Sequence, residues 1–337
     1  MQYPLDLSLA HSIQACRQLT ASAHSNFVPA FALLPADKRQ AMEILYAYTR
    51  FTDDSADLPN FTPEDTAMTV SPRQKQQRFN QWVGTLEAVL GKIGDVHVPQ
   101  IDPQDEQIFQ QIAEQFSGCD GLVLLPALKM IVDKYNIPRE PLFHLLDGIE
   151  RDMDSPSFAT FDDSLEYCHQ VATSVGFASL AIWGTTEPLF SETVVKAAEA
   201  CGAAFQWTNI IRDLREDYQN GRIYLPQSEL QRFGLTDEQL GLILDEAVRE
   251  ARGKQFEEKF LQLMDYQLNR CEVYYETSQP LYHLIHRDSR RTFGLMWNYY
   301  YSLYRKMRKN PWLVTRRTRV RLSFSQKFRL WFRWRLL

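Results

Sequence analysis

The stretch FQWTNIIRDLREDYQNGRIYLP, residues 205–226, carries four polar side chains in helical register. Gln206, Asn209, Asp213 and Asp217 fall at i, i+3, i+7 and i+11, so on a helix they form one stripe. Arg212 flanks the stripe, and Gly221 with Pro226 marks the helix end. The residues leading into it, AAEACGAAFQWTNII, are apolar enough to be core. A helix that is core on most sides and acidic along one line has a cost to explain. An ionised carboxylate out of water is unfavourable by several kcal/mol unless something pairs with it.

A second run poses the same question. In AMEILYAYTRFTDDSAD, residues 41–57, Met42, Leu45, Tyr46 and Thr49 keep helical spacing. Asp53 and Asp57 then sit four apart on one face, with Arg50 one turn earlier. Asp54 is about 100° away around the helix, which suits a local partner better than the shared face.

The rest of the chain reads in the same style. Helical spacing recurs in residues 73–91, 105–116, 122–136, 139–153, 161–184, 191–221, 236–278 and 289–310, and period-2 alternation is scarce. Residues 58–72 and 93–104 are Pro-punctuated loops, and neither argues for a linker between domains. The reading is one all-α domain over residues 1–304 with an extension over 305–337. At 337 residues, 45% hydrophobic and 23% charged, the composition is that of a globular protein with a substantial core. Five scattered cysteines and seven histidines show no zinc spacing, which favours a reduced, cytoplasmic setting. No apolar run reaches membrane-spanning length, and the N-terminus lacks the basic and apolar regions of a signal peptide.

Taken alone, either Asp pair could be a solvated acidic face or a helix salt bridge. Two of them, on helices that otherwise look buried, point further. Facing Asp pairs make an oxygen-rich site for hard cations, and Mg²⁺ suits carboxylates, water and a diphosphate together. Divalent ions there would favour departure of a diphosphate, and Arg50, Arg212 and Arg222 would add charge-assisted contacts to its oxygens. A Ca²⁺-binding module is the rival, but no DxDxDG loop is present.

YAYTRFTDDSAD (46–57) and FQWTNIIRDLREDYQNGRIYLP together resemble the squalene/phytoene synthase family, which joins two prenyl diphosphates head to head. The resemblance runs from about residue 26 to 328, supported by SNFVPAFALLPADKRQ and FDDSLEYCHQVATSVGFASLAIWG. It implies an all-α isoprenoid-synthase fold with a central apolar cavity and two or three Mg²⁺ ions. Asp53 and Asp57 would hold Mg²⁺ on one wall and Asp213 and Asp217 on the other, with Asn209 a further metal or diphosphate contact and Gln206 a polar neighbour of the reacting carbons. Arg50, Arg212 and Arg222 would clamp diphosphate. Tyr224 and Tyr167 match tyrosines near the ionising group, Tyr167 being the better candidate for proton handling or for stabilising a cation through its ring; the bland alternative is a core tyrosine. Phe27, Val171, Val175 and Gly176 would line the prenyl tunnel, and Tyr300 is one of four tyrosines in WNYYYSLY that could match a cavity residue. At residues 24–27, where family members carry Ser-x-Ser-Phe, this chain has His24 and Asn26 in place of the serines. Both can still hydrogen-bond a phosphate.

The implied chemistry condenses two farnesyl diphosphates to presqualene diphosphate. A second ionisation then leads to hydroxysqualene, squalene or dehydrosqualene. Within the family the chain looks most like the bacterial presqualene diphosphate synthases of squalene and hopanoid pathways. Phytoene formation from two geranylgeranyl diphosphates is the alternative, and a catalytically silent isoprenoid-binding homologue is a third. No GxGxxG follows a strand, so the sequence leaves NADPH use open.

The net charge of −5 is uneven. Residues 305–337 contain 12 Lys and Arg and no acid, so the other 304 residues carry −17. The tail mixes these cations with Trp312, Phe324, Phe328, Trp331, Phe332 and Trp334. It suits either an amphipathic helix on a membrane surface or a last helix packed on the acidic body, and the two can coexist. No motif supports nucleic-acid binding.

Overall fold

A computed structural model describes residues 6–23, 25, 27–57, 71–95, 99–116, 119–153 and 157–336. These residues are helical almost throughout. Among them, β structure is limited to two isolated bridges, Ser157 with Ile223 and Thr185 with Ile285. The chain divides into two compact units, Met1–Met153 with Phe177–Trp183, and Asp154–Gly176 with Gly184–Leu337.

The hub of the first unit is the Ala36–Asp57 helix. It packs on the helices Leu9–Ser22, Pro72–Leu90, Leu125–Tyr135 and Arg139–Met153. Polar groups on its buried face are paired. The Tyr48 hydroxyl donates to the Leu142 carbonyl at 2.7 Å, and the Trp82 indole donates to Thr52 Oγ1 at 3.0 Å. The Trp82 ring meets Phe51 edge-on at 4.8 Å. This register fixes which face Arg50 and the acids present.

The hub of the second unit is the 28-residue helix Glu192–Gln219. Ser191 caps its start by accepting from the Val194 amide. Its far end turns at Asn220 and Gly221, where the Arg222 amide donates to the Asp217 carbonyl at 2.8 Å. The helix packs on Glu257–Ser278, on Arg290–Lys309, on the short turn Pro311–Thr315 and on a π-helical turn at His169–Thr173.

That π turn departs from the sequence reading of residues 161–184 as one regular helix. Helices Phe161–Cys168 and Ser174–Trp183 flank it. One extra residue per turn lets the Glu192–Gln219 helix approach to backbone contact, and only a glycine fits there. A Cβ on Gly202 would lie 2.7 Å from Thr173 Cα and 2.8 Å from its amide nitrogen. A second departure lies in residues 236–278. The helix Asp237–Leu244 stops where Asp245 turns its carboxylate onto the Ala247 and Val248 amides, and a regular helix resumes only at Glu257–Ser278. A side chain that satisfies amides locally competes with helix continuation.

Gly202→Ala tests the close approach. In an open helix this exchange is stabilising by about 1 kcal/mol. Here the obstruction is backbone, so net destabilisation of about 1–3 kcal/mol is expected, read from the midpoint of chemical denaturation. A stabilised variant would show that the approach is looser than described.

Candidate active site

On the Glu192–Gln219 helix the Asp213 side chain is only 10% exposed, yet it is a charged group. Two guanidinium forks hold it. Arg212 donates from Nε to Oδ1 at 2.8 Å and from Nη2 to Oδ2 at 2.6 Å. Arg319, from the basic tail, donates from Nε to Oδ1 at 2.6 Å and from Nη2 to Oδ2. Burial alone would raise the Asp213 carboxyl, but hydrogen bonds from the two arginines outweigh it and hold the carboxyl below its usual value. For Arg212, burial pulls the other way too, and its bonds to Asp213 win, so it is raised above the usual arginine range. Tyr300 completes this cluster. It is buried, its ring stacks on Phe205 at 4.6 Å, and burial raises its hydroxyl against the lowering effect of Arg212 and of hydrogen bonding to Asn209 and Arg212.

One turn either side of Asp213 the stripe is under-satisfied. Asn209 donates from Nδ2 to Gln206 Oε1 at 3.2 Å, but its Oδ1 is buried without a hydrogen-bond donor. Asp217 is pushed up to about 7, first by burial and then by the charge of Asp213, with Arg222 opposing. Among the described residues no group of three or more acids, histidines or cysteines is placed to hold a metal ion. The donor chemistry of the stripe nevertheless fits a hard divalent cation: its free ligand atoms are oxygens, the Asn209 oxygen lacks a donor, and the Asp217 carboxyl is held toward neutrality by burial and then by a like charge. A dication would correct the last two at once. Asp213 itself is taken up by guanidinium groups.

Beyond the helix end, the chain turns back and sets Tyr224 on Tyr167. Their rings stack at 5.2 Å with 25° between planes, and Phe158 lies 5.4 Å from one and 6.1 Å from the other. Ser164 Oγ donates to the Tyr224 carbonyl at 3.1 Å. The two tyrosines singled out from sequence thus form one aromatic surface, and Phe158, which the sequence reading missed, belongs to it. Val171 lies in the π turn, and Val175 and Gly176 follow at the start of the next helix, all half-buried.

In the first unit, Arg50 forks onto Asp54, Nε at 2.9 Å and Nη2 at 2.5 Å, and reaches Asp53 at 3.6 Å. Of the two acids whose side chains are described, Asp54 is the sheltered one, at 14% exposed, whereas Asp53 is 55% exposed. Solvent around Asp53 makes its charge cheap to keep. Phe27 stands half-buried at the start of the short helix Val28–Phe31. His24, Asn26 and the Asp57 side chain lie outside the described residues.

The squalene/phytoene synthase family profile matches residues 20–326. The chain belongs to that family. It is a head-to-head prenyl-diphosphate condensing enzyme, a prenyltransferase of isoprenoid biosynthesis. Among curated squalene/phytoene synthases, 15-cis-phytoene synthase of Synechococcus elongatus is 27% identical over 293 residues, 84% of this chain and 79% of that one. Phytoene synthase of Arthrospira platensis is 28% identical over 83% and 78%. Among solved structures, a dehydrosqualene synthase in complex with ligand superposes with a TM-score of 0.69 at 25% identity, over 97% of this chain and 96% of that one. Squalene synthase HpnC from Alicyclobacillus acidocaldarius shares the fold, with a TM-score of 0.64 at 20% identity over 89% and 94%. Within this synthase, Arg319 is a second site residue, after Phe158, that sequence reasoning did not reach. It lies 106 residues from Asp213 and is one of 12 cations in a uniformly basic tail, so no spacing marks it.

The raised Asp217 carboxyl gives a pH-dependent stability with a definite sign. It is pushed up to about 7 in the folded protein, against 3.8 for an ordinary aspartate. Well below pH 3.8 both states are protonated. As pH rises toward 7 the unfolded chain ionises first and the fold loses stability, and above 7 the loss is constant. In metal-free buffer, Asp217→Asn should therefore raise stability at pH 8 by on the order of 2–4 kcal/mol, with the gain shrinking as pH falls toward 4. Thermal melts across pH in EDTA measure it. An equal gain at both ends would mean that the shift is not electrostatic.

Proposed function

We propose that the enzyme condenses two farnesyl diphosphates to presqualene diphosphate in a Mg²⁺-dependent reaction, and can carry that intermediate to a C30 product. The observation that carries this reading is the second stripe: a buried Asn209 oxygen without a donor and an Asp217 carboxyl pushed toward neutral, beside guanidinium groups. Asp53 and Asp57 in the first motif, and Asn209 and Asp217 in the second, are the residues that would hold the ions, and Asp213 would join them on release of a guanidinium fork. Bound Mg²⁺ would neutralise charge on the departing diphosphate.

The chain's own groups do the rest. Arg212 and Arg222, and Arg50 in the first motif, bind diphosphate oxygens through charge-assisted hydrogen bonds. As the C1–O bond breaks, the electron pair leaves with diphosphate, and the double bond of the second substrate attacks C1. The Tyr167 and Tyr224 ring faces stabilise the allylic cation through their quadrupoles. Loss of a proton closes the cyclopropane, and the Tyr167 hydroxyl is the group that relays it. Gln206 positions the reacting carbons. Apolar walls from Phe27, Val171, Val175, Gly176 and the Tyr300 ring exclude water from the cation.

A second reading, condensation of two geranylgeranyl diphosphates to phytoene, is favoured by a different observation: the curated relatives at 27–28% identity are phytoene synthases. The likeness over 97% of the chain to a dehydrosqualene synthase favours the C15 substrate.

Incubation with each diphosphate and Mg²⁺, with and without NADPH, and mass spectrometry of products separates the readings. Pyrophosphate release with farnesyl diphosphate, abolished by EDTA, is expected. Faster turnover of the C20 substrate selects phytoene formation. No release from either substrate leaves a silent isoprenoid-binding protein. Asp53→Ala should lower kcat by about a hundredfold or more at an unchanged melting temperature, because the side chain is exposed. Asp213→Ala is a poorer probe, since it strands Arg212 in a buried position at a cost of about 3–5 kcal/mol.

A further inference from the structure

The tail ends in the helix Phe324–Leu336. It docks on the Arg290–Lys309 helix through one face only. Lys327, Leu330, Trp331 and Trp334, at i, i+3, i+4 and i+7, point inward. Trp334 lies over Gly294, where a Cβ would overlap its ring, and 5.7 Å from Tyr282. Lys327 sits over the Tyr299 ring at 5.6 Å.

The opposite face is apolar and in water. Phe324, Phe328, Phe332 and Leu336 recur every four residues and are 82%, 55%, 50% and 71% exposed. The phenylalanine rings stack along the helix at 6.3 and 6.2 Å. They form one continuous ridge, unlike the scattered apolar residues of an ordinary surface. Arg329 and Arg333 are exposed beside the ridge, one position on from Phe328 and Phe332, and Arg316 and Arg317 are exposed in the segment leading to it. No acid occurs anywhere in residues 305–337.

We infer that this face of the Phe324–Leu336 helix docks the enzyme on an anionic lipid bilayer, the Phe324, Phe328, Phe332 and Leu336 ridge entering the headgroup–acyl boundary and Arg329 and Arg333 meeting lipid phosphates. Charge complementarity selects this occupant. A second copy of the same face would set arginine against arginine. A basic helix with an aromatic ridge is the composition that lies in a bilayer interface. At 13 residues it is too short to cross, and no described helix is long and apolar enough to do so. The inference goes beyond the reaction assigned above and holds for either prenyl substrate.

Flotation of the full chain with vesicles tests it, using phosphatidylcholine containing about 30% phosphatidylglycerol and pure phosphatidylcholine as probes. The wild type should float with the anionic vesicles and less so at roughly 0.5 M NaCl. Phe328→Ser with Phe332→Ser should weaken binding about tenfold or more, with the thermal melt unchanged because both rings are exposed. Arg329→Gln with Arg333→Gln should weaken binding to anionic vesicles while leaving the weak binding to neutral ones. Three results would overturn the inference: no flotation of the wild type, full binding by the serine variant, or a wild-type dimer that the serine variant dissociates.

Discussion

A carboxylate almost out of water has to be held ionised, and Asp213 is that group. In a low-dielectric setting an unpaired charge is costly, while a pair whose lone pairs are all occupied is not. Here two guanidinium forks occupy both oxygens. One comes from the adjacent residue. The other comes from the tail, so the path of residues 311–322 follows from this requirement. That path is reinforced where Arg215 donates to the Thr315 carbonyl at 2.8 Å and Arg249 to Thr315 Oγ1 at 3.0 Å. Part of the tail's positive charge thus answers a specific negative charge in the core helix of its own unit.

Holding Asp213 ionised has a consequence one turn on. Two carboxyls on one face of a helix cannot both be cheaply charged in a buried setting, and their environments push them apart. Asp213 takes the arginines and is lowered, and Asp217 is left with burial and a like charge and is raised. Asn209, on the other side, is left with an acceptor and no donor. Such a stripe is arranged for positive charge that is not part of the polypeptide, consistent with the chemistry of a diphosphate-transferring family.

Much of this was legible in the sequence because helical period and polar spacing survive folding unchanged. Gln206, Asn209, Asp213 and Asp217 needed only a 3.6-residue repeat to be placed on one face. Tyr167 and Tyr224 could be tied to one site only through the resemblance, since no local pattern brings residues 57 positions apart to a ring separation of 5.2 Å. The π turn at His169–Thr173 was hidden because it keeps the apolar spacing of a helix while changing its winding. The stop at Asp245 was hidden because aspartate is tolerated within helices as well as at their starts. Arg319 was hidden for the opposite reason, having too many equals: in a segment with 12 cations, composition cannot say which one meets a buried acid.

The tail therefore carries two distinct duties within a short length of chain. Arg319 is bound into the acidic stripe, and five residues later the exposed phenylalanine ridge begins. Deleting the whole tail would remove a partner of the buried Asp213 together with the ridge, and loss of activity or of membrane binding could then be assigned to either. Point changes separate them, because the two sets of side chains do not overlap. Phe328 and Phe332 stand in water and support no buried charge, whereas Arg319 supports one directly. The helix's inward face, with Trp334 over Gly294, holds the ridge in place whichever exposed residues are altered. Docking of the helix on its own unit and docking of its outer face on a bilayer are therefore compatible uses of opposite sides of the same 13 residues.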